Sequence, residues 1–247
     1  MYSEDLPQLL RCPQVCEYLL MRLKALLLLV YMPVIADESD WQQPHVIKDG
    51  ISIAIKQVEG SKYKEFRASV DLQTTPASAV ALLQDNDACA RWVHRCVNSE
   101  VIEEVNETER YFYQVTSLPF PARSRDAVFH GSIEFQTDQG ITITITSAHD
   151  RFPLTKHVRI TESHGSYHIE PIGSNSIRLT WQFYVDPAGT LPALLVNSMI
   201  KELPFQSLSA FRELVKQRPY KDATFTYDAS GRPSNISFAP KDQKDNS

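Results

Sequence analysis

Arg125 and Asp126 are the adjacent charged residues whose position points most directly to a chemical role. They stand at the start of a predicted strand that runs to Phe135, and adjacent residues of a strand face opposite sides of the sheet. One of the two charges must therefore face the interior of the protein. A buried charge is costly unless it is paired, so that residue needs an oppositely charged neighbour or a polar group of a ligand. We interpret the pair as structural, with contact to a ligand headgroup as the alternative.

No other group of residues has the spacing of a catalytic or metal site. His149-Asp150-Arg151 stands where a predicted strand ends, and a polar turn accounts for it. The seven histidines lack the H-E-x-x-H spacing of zinc enzymes, and His164 and His168 would share a face only on a helix, which the strand pattern around Tyr167 argues against. A Gly-x-Ser-x-Gly hydrolase motif does not occur in the sequence. We therefore predict no catalytic residue, no metal and no cofactor.

A two-faced strand followed by a helix is the part of the chain best suited to enclose a ligand. One face of the strand is apolar, and it comprises Ile177, Leu179, Trp181, Phe183 and Val185. Asp186-Pro187-Ala188-Gly189 ends the strand with residues typical of a turn. Leu191 to Val215 then predicts one long, largely apolar helix, bent near its middle by Pro204. A strand that leads directly into such a helix indicates a container and not a catalytic cleft.

The earlier part of the chain predicts most of the remaining strands, for a total of about nine. They are expected at 51–56, 63–72, 97–105, 110–116, 126–135, 141–147, 157–161 and 167–169. The alternation of Ile and Thr from Ile141 to Thr146 is the clearest and predicts buried isoleucines. Thr75 and Pro76 are typical of a helix start, and a second helical turn at 87–93 carries Trp92. Such a sheet around one helix encloses more volume than side chains readily fill, which favours a cavity over a packed core.

The order of several motifs resembles START lipid-transfer domains. Gly165 opens a Gly-x-Tyr-x-Ile-x-Pro segment, which is followed by the apolar strand, by Asp-Pro-x-Gly-x-Leu-Pro from Asp186, and by a helix beginning Leu194-Leu195-Val196-Asn197. Upstream, the expected order continues with Trp92, Tyr111-Phe112-Tyr113, Pro119-Phe120-Pro121 and Arg125-Asp126. The resemblance covers roughly residues 45–217, and the collinear order carries it, because each motif alone is weak.

The resemblance implies an α+β helix-grip fold, a curved antiparallel β-sheet wrapped around a long C-terminal helix. It also implies that a lipid or another hydrophobic small molecule is bound in an internal tunnel closed by that helix. Whether the protein transfers this molecule through transient membrane contact or only binds it is left open. The side chains expected to bind the ligand are Arg125, Phe129, Ile133, Trp181, Phe183, Val196, Met199 and Leu203. The apolar members of this set would be ordinary core in any protein that packs a helix on a sheet. The identity of the ligand and the oligomeric state are left open.

Two other functions are compatible with the sequence. A polyketide cyclase or aromatase-like enzyme on the same fold would need several titratable groups that converge in the cavity. A periplasmic interaction protein without a ligand would need a filled core. Nucleic acid is not an expected partner, because the net charge of -5 provides no general attraction for it.

The first 36 residues resemble an export signal. The basic segment Met21–Lys24 precedes a Leu-rich run from Ala25 to Tyr31, and small residues up to Ala36 precede acidic ones. Because the run is short for a bilayer span of about 20 residues, we favour cleavage near Ala36 over a retained membrane anchor, with Met21 as the true start. The mature chain is then expected to be periplasmic or secreted.

Downstream of that signal, we expect a lipid-binding domain at 45–217 and a partly disordered tail at 218–247. Two of the four cysteines, Cys89 and Cys96, lie in the domain. On one continuous helix they would be about 10 Å apart by helix rise, too far for a disulfide. Pairing would require the helix to end near His94, and we interpret both residues as buried free thiols.

Overall fold

The computed structural model describes residues 41–42, 45–137, 139–229, 231 and 233–238, with the backbone alone at 45–48. The described residues all belong to one compact unit. The predicted export signal at 1–36 lies outside the described residues. Within the described segments, no helix has both the length and the apolar character needed to cross a membrane.

One large sheet is the frame of the fold. Its strands are β1 (His45–Ile47), β2 (Ile51–Gln57), β3 (Lys64–Leu72), β4 (Cys96–Asn106), β5 (Glu109–Thr116), β6 (Arg125–Phe135), β7 (Ile141–Ser147), β8 (Val158–Arg159), β9 (Glu162–Gly173) and β10 (Ser176–Asp186). They run across the sheet in the order β1-β2-β3-β10-β9-β7-β6-β5-β4, all antiparallel, while β8 pairs in parallel with β6. The pairing of Phe66 with Phe183 and of Leu72 with Ile177 joins the early strand β3 to the late strand β10.

The strands show the alternation that the sequence predicted. In β10, Ile177, Leu179 and Trp181 are buried, and the intervening Arg178 is exposed. In β7, Ile143 is buried and Thr144 is exposed. The buried sides meet the helices in one apolar core. The prediction of an amphipathic strand at 141–147 is therefore confirmed.

Four α-helices lie in the described part of the chain. They are α1 (Pro76–Gln84), α2 (Cys89–Trp92), α3 (Ala193–Met199) and α4 (Glu202–Leu214). Thr75 caps α1 as predicted, since its Oγ1 accepts a hydrogen bond from the backbone N–H of Ser78 at 3.1 Å. On α4, Leu208 and Phe211 are fully buried, and the Phe211 ring meets the Trp92 ring edge-on at 5.1 Å. The fold thus has the predicted α+β composition, with the C-terminal helices packed against a large antiparallel sheet.

The prediction of a C-terminal helical segment is confirmed, but its continuity from Leu191 to Val215 is wrong. The segment is divided into α3 and α4 at Ile200-Lys201. Pro204 explains the break. It has no N–H to donate to the carbonyl of Ile200, and its ring would clash with that carbonyl in a continuous helix. The bend that the sequence placed near Pro204 therefore occurs one turn earlier and separates two helices.

The prediction of free thiols at Cys89 and Cys96 is also wrong. The two residues form a disulfide, with their Cα atoms 6.0 Å apart. Helix α2 ends at Trp92, and the chain then turns through Arg95, whose φ of 67° is left-handed. Because the helix ends before Cys96, the separation of about 10 Å expected on one continuous helix does not apply.

The first part of the predicted tail has regular structure. A 3-10 turn at Tyr220–Asp222 is followed by a hairpin of β11 (Thr224–Tyr227) and β12 (Pro233–Ser237). The ring of Phe225 packs edge-on against Phe135 of β6 at 5.6 Å. The rest of the predicted tail, residues 239–247, lies outside the described residues.

Candidate ligand-binding cavity

A cavity lies between the sheet and α3. Its volume is about 190 Å³. Its strand wall consists mainly of Phe66, Phe112, Ala127, Phe129, Ile145, Trp181, Phe183 and Val185, and its helical wall of Leu195, Val196, Met199, Ile200 and Leu203. Close-packed interiors seldom contain voids larger than a water molecule, so this space is too large to be a packing defect.

Aromatic rings form the floor of the cavity. Trp181 stacks on Tyr167 with ring centroids 5.3 Å apart and meets Phe66 edge-on at 4.9 Å. Phe183 in turn meets Phe129 at 6.2 Å. Burial raises the pKa of Tyr167, so its hydroxyl is neutral at ordinary pH. The floor is thus a rigid apolar surface without a charge of its own.

Helix α3 covers the cavity but is weakly attached. None of its residues is buried, in contrast to the five buried residues of α4. Its side-chain link to the sheet is Asn197, whose Oδ1 accepts a hydrogen bond from the N–H of Lys64 at 3.2 Å and whose Nδ2 donates to the carbonyl of Lys62 at 3.3 Å. Such a segment has the few buried contacts that are typical of elements that open locally.

Arg125 is the charged residue of the pair that faces the cavity. Its side chain is buried, and its guanidinium donates to the backbone carbonyls of Pro187, Ala188 and Arg123. Burial lowers its pKa, with a smaller opposing effect from the nearby Tyr63. These carbonyls orient the guanidinium but do not neutralise its charge.

Asp126 faces the other side of β6 and is fully buried there. Arg159 donates to both carboxylate oxygens at 3.1 Å, and Thr155 and Tyr113 donate to Oδ2 at 2.7 and 3.2 Å. Burial alone would raise the pKa of Asp126, but the hydrogen bonds from Arg159 and Thr155 outweigh it and hold that pKa below its usual value. For Asp126 the structural interpretation of the pair is thus confirmed, with a partner that the sequence did not reveal.

Three further basic residues line the cavity and were not predicted: Lys64, His94 and Arg95. His94 is close to a carboxylate, with its Nε2 3.6 Å from Oε1 of Glu202. Arg95 has a buried Nε that has no hydrogen-bond partner among the described residues. The left-handed turn at Arg95 and the strand start at Lys64 carry no motif that would have identified them.

Seven of the eight predicted ligand-binding residues do line the cavity: Arg125, Phe129, Trp181, Phe183, Val196, Met199 and Leu203. Ile133 does not. It lies on the same face of β6, but four residues beyond Phe129, or about 13 Å along the strand, and it lines a smaller depression next to Gly131. Phe211 lies about two turns beyond Leu203 on α4 and belongs to the packed core.

The other polar groups discussed above do not form a site. His149 and Asp150 lie in a turn directly after β7, as predicted. Among the described residues, no three His, Cys, Asp or Glu side chains are arranged so that they could hold a metal ion. The candidate site is therefore the cavity alone.

Comparison with known proteins agrees with this geometry. The START domain model matches residues 30–219. A STAR-related lipid transfer protein from Xanthomonas axonopodis is 32% identical, and its crystal structure superposes with a TM-score of 0.67 over 72% of this chain and 99% of that one. An uncharacterized protein of Pseudomonas aeruginosa is 26% identical over 172 residues, 69% of this chain and 85% of that protein.

The human StAR-related lipid transfer protein 5 has the same fold. Its TM-score is 0.67 at 19% identity, over 83% of this chain and 98% of that one. Membership of the family whose model matches residues 30–219 implies that a lipid or another hydrophobic ligand is bound. The matched residues include the sheet, the cavity and both C-terminal helices, and the chain belongs to the START domain family.

Proposed function

We propose that this protein holds a single lipid or similar apolar molecule in the cavity beneath α3 and transfers it to and from membranes. The cavity itself supports this proposal. An apolar cavity of about 150 Å³ is enough to bind benzene, and the space here is larger and lined mostly by hydrocarbon and aromatic groups. Such a surface gains free energy when an apolar chain replaces water on it.

Native mass spectrometry of the purified protein, followed by solvent extraction, tests whether a ligand is carried. We expect a mass adduct that organic solvent removes and that is recovered as an intact lipid. If the protein carries no adduct and takes up neither a fluorescent fatty acid nor a fluorescent sterol, the proposal is wrong. The alternative of an interaction protein without a ligand required a filled core, which the cavity does not support.

In this proposal the protein carries its ligand without changing it chemically. A cyclase needs an acid and a base poised over its substrate, but the described residues that line the cavity include no Asp or Glu, and His94 faces Glu202 at 3.6 Å. The same extraction distinguishes the two functions, because a carrier returns the lipid that it was given. Recovery of a cyclised or otherwise altered product after incubation with a polyketide-like substrate would favour the enzyme.

The lid in this proposal is α3, which opens at the break after it. Asn197→Ala removes the side-chain hydrogen bonds of α3 to Lys64 at the start of β3 and to Lys62 just before it. We expect ligand exchange to become about tenfold faster, since each such bond contributes about 0.5–1.5 kcal/mol. Ser198→Ala is the matched control, because Ser198 Oγ donates only to Leu195 within the same helix. Stopped-flow release of a fluorescent ligand measures both variants, and equal rates would contradict a lid at α3.

Transfer requires contact with a membrane, and three exposed apolar side chains are suited to it. Phe120, Leu154 and Leu194 are 98%, 81% and 84% exposed. They lie in the loop before β6, in the loop before β8, and in the first turn of α3, which follows the turn that Arg125 binds. Exposed apolar groups close to the cavity favour contact with a lipid surface.

Vesicle-to-vesicle transfer of a fluorescent fatty acid tests that contact. We expect Phe120→Ser together with Leu194→Ser to slow transfer several-fold while leaving equilibrium binding unchanged. Tyr227→Ser is the control, because Tyr227 is also exposed but lies on the C-terminal hairpin, which packs at the opposite end of β6. If the control slows transfer as much as the double variant, the apolar rim is not the docking surface.

We also propose that the mature chain is exported. The signal-like sequence up to Ala36 supports this, and so does the Cys89–Cys96 disulfide, because disulfides persist mainly in oxidising compartments. Expression in a Gram-negative host should give a periplasmic protein whose N-terminus lies near Asp37. An intact N-terminus in the cytoplasmic fraction would contradict the proposal.

A further inference from the structure

Among the described residues that line the cavity, positively charged side chains are present and negatively charged ones are not. Lys64, Arg95 and Arg125 line it, and no carboxylate is found among the described lining residues. His94 also lines the cavity, and its Nε2 lies 3.6 Å from Oε1 of Glu202. A cavity with three cations and no lining anion has a positive potential, although the whole chain has a net charge of -5.

The three cations belong to one end of the cavity. Cys96 pairs with Thr116, and Thr116 pairs with Arg125, so Arg95 and Arg125 lie at the same end of three adjacent strands. Two strand spacings separate them by about 10 Å at the backbone. Lys64 follows Tyr63, which is close enough to Arg125 to act on its pKa and donates a hydrogen bond to the carbonyl of Leu191.

Two of these cations have unused hydrogen-bonding capacity. A guanidinium has five N–H donors, and the carbonyls of Arg123, Pro187 and Ala188 accept from three of those on Arg125. The buried Nε of Arg95 has no acceptor among the described residues. A buried donor and an unneutralised buried charge are both costly, and an oxyanion in the cavity would satisfy them together.

We infer that the ligand is an anionic amphiphile: an apolar chain lies on the aromatic floor, and a carboxylate or phosphate headgroup lies between Arg95, Arg125 and Lys64. This inference rests on the proposed function and specifies its ligand class. The apolar floor contributes affinity for any lipid, whereas the cationic end selects an anion over a neutral headgroup. Carboxylate and phosphate both accept the paired hydrogen bonds that a guanidinium offers.

Competition with a neutral fluorescent probe on the full chain tests the inference. The competitors are hexadecanoate, hexadecyl phosphate and the neutral hexadecanol, which share one chain length. We expect at least one of the two anions to bind about tenfold more tightly than hexadecanol, because hydrogen bonds to charged groups are the stronger class. The tighter anion identifies the headgroup. Displacement of the probe by inorganic phosphate alone would overturn the amphiphile and leave only an ion site.

Variants locate the selectivity. Arg95→Gln and Lys64→Gln should each remove most of the preference for the anion while leaving hexadecanol binding within about twofold, since neither change alters the apolar floor. Arg91→Gln is the matched control, because Arg91 is an exposed residue of α2 that does not line the cavity. Arg125→Gln is unsuitable as a test of selectivity, since Arg125 also holds the turn after β10.

The outcomes separate this inference from the proposed function. If hexadecanol binds as tightly as both anions, and the two variants change nothing, the anionic ligand is wrong and the lipid container stands. If none of the three amphiphiles displaces the probe and the probe itself does not bind, the proposed function fails and the inference fails with it.

Discussion

The buried carboxylate of Asp126 and the exposed carboxylate of Asp71 provide a matched test of what fixes this fold. Both accept two hydrogen bonds from one arginine: Arg159 binds Asp126 at 3.1 and 3.1 Å, and Arg178 binds Asp71 at 2.8 and 3.0 Å. The exposed pair has the shorter bonds. The side chains of the buried pair are 0% and 6% exposed, whereas those of the other pair are 53% and 49% exposed. The two pairs therefore differ in burial, and Asp126 additionally accepts hydrogen bonds from Thr155 and Tyr113.

We expect Asp126→Asn to cost about 3–5 kcal/mol of unfolding free energy, because it leaves Arg159 charged and buried without a counter-ion. The amide also presents N–H groups to a guanidinium that can only donate. Asp71→Asn should cost less than about 1 kcal/mol, since water solvates Arg178 when the pair is lost. In a domain of this size, the buried change corresponds to a fall in Tm of about 6–20 °C.

Urea unfolding followed by tryptophan fluorescence measures both variants, and Trp92 and Trp181 report on the core. The pKa of Asp126 is lowered in the folded protein, so its stabilisation is present above the unfolded pKa of about 4 and is lost as the pH falls through the folded value. The difference between wild type and Asp126→Asn should therefore shrink below pH of about 4. Equal costs for the two variants at pH 7 would refute the reasoning from burial.

Three other perturbations test the sheet, the cavity and the disulfide. Ile143→Ala should cost about 2–5 kcal/mol because the side chain is buried, while Thr144→Ala on the exposed side should cost far less, and urea unfolding compares them. Leu203→Trp should block uptake of a fluorescent fatty acid with little change in Tm, because the ring fills the cavity, whereas overpacking a filled core would cost about 1–3 kcal/mol. Reducing Cys89–Cys96 should cost about 2–3 kcal/mol by the loop-entropy relation, and a melt in reductant that matches the oxidised one would contradict this.

Regular alternation explains why the sheet could be predicted from the sequence. Residues 141–147 and 176–182 each have one buried face, and a period of two leaves only one register that buries it. The same periodicity placed Phe129, Trp181 and Phe183 on the inner face, where they line the cavity. Strands with weaker alternation were predicted less well: β9 spans Glu162–Gly173, although the sequence indicated only 167–169.

Errors arose where tertiary geometry, not periodicity, decides the outcome. Ile133 has the right face but lies too far along β6, and the length of a cavity along a strand has no sequence signal. The disulfide depends on where α2 ends, and no capping side chain marks that end. The partner of Asp126 is Arg159, 33 residues away on the two-residue strand β8, which is too short to show a pattern. Arg95 was not predicted as a lining residue because it lies in the turn that follows α2, where no periodic pattern applies.

The adjacent residues Arg125 and Asp126 connect the stability of the fold with the recognition of its ligand. Adjacent strand residues cannot pair with each other across the sheet, so each charge needs its own partner on its own face. Asp126 has Arg159, whereas Arg125 has only carbonyls, and the inner face keeps a positive charge. Mutations should therefore affect the stability of the fold and the recognition of the ligand separately. Once folded, Asp126→Asn should still prefer hexadecanoate over hexadecanol, and Arg95→Gln should lose that preference without a comparable loss of stability. If Asp126→Asn lost the preference while still folded, the two faces of β6 would be coupled, and the positive charge of the cavity would depend on the ion pair behind it.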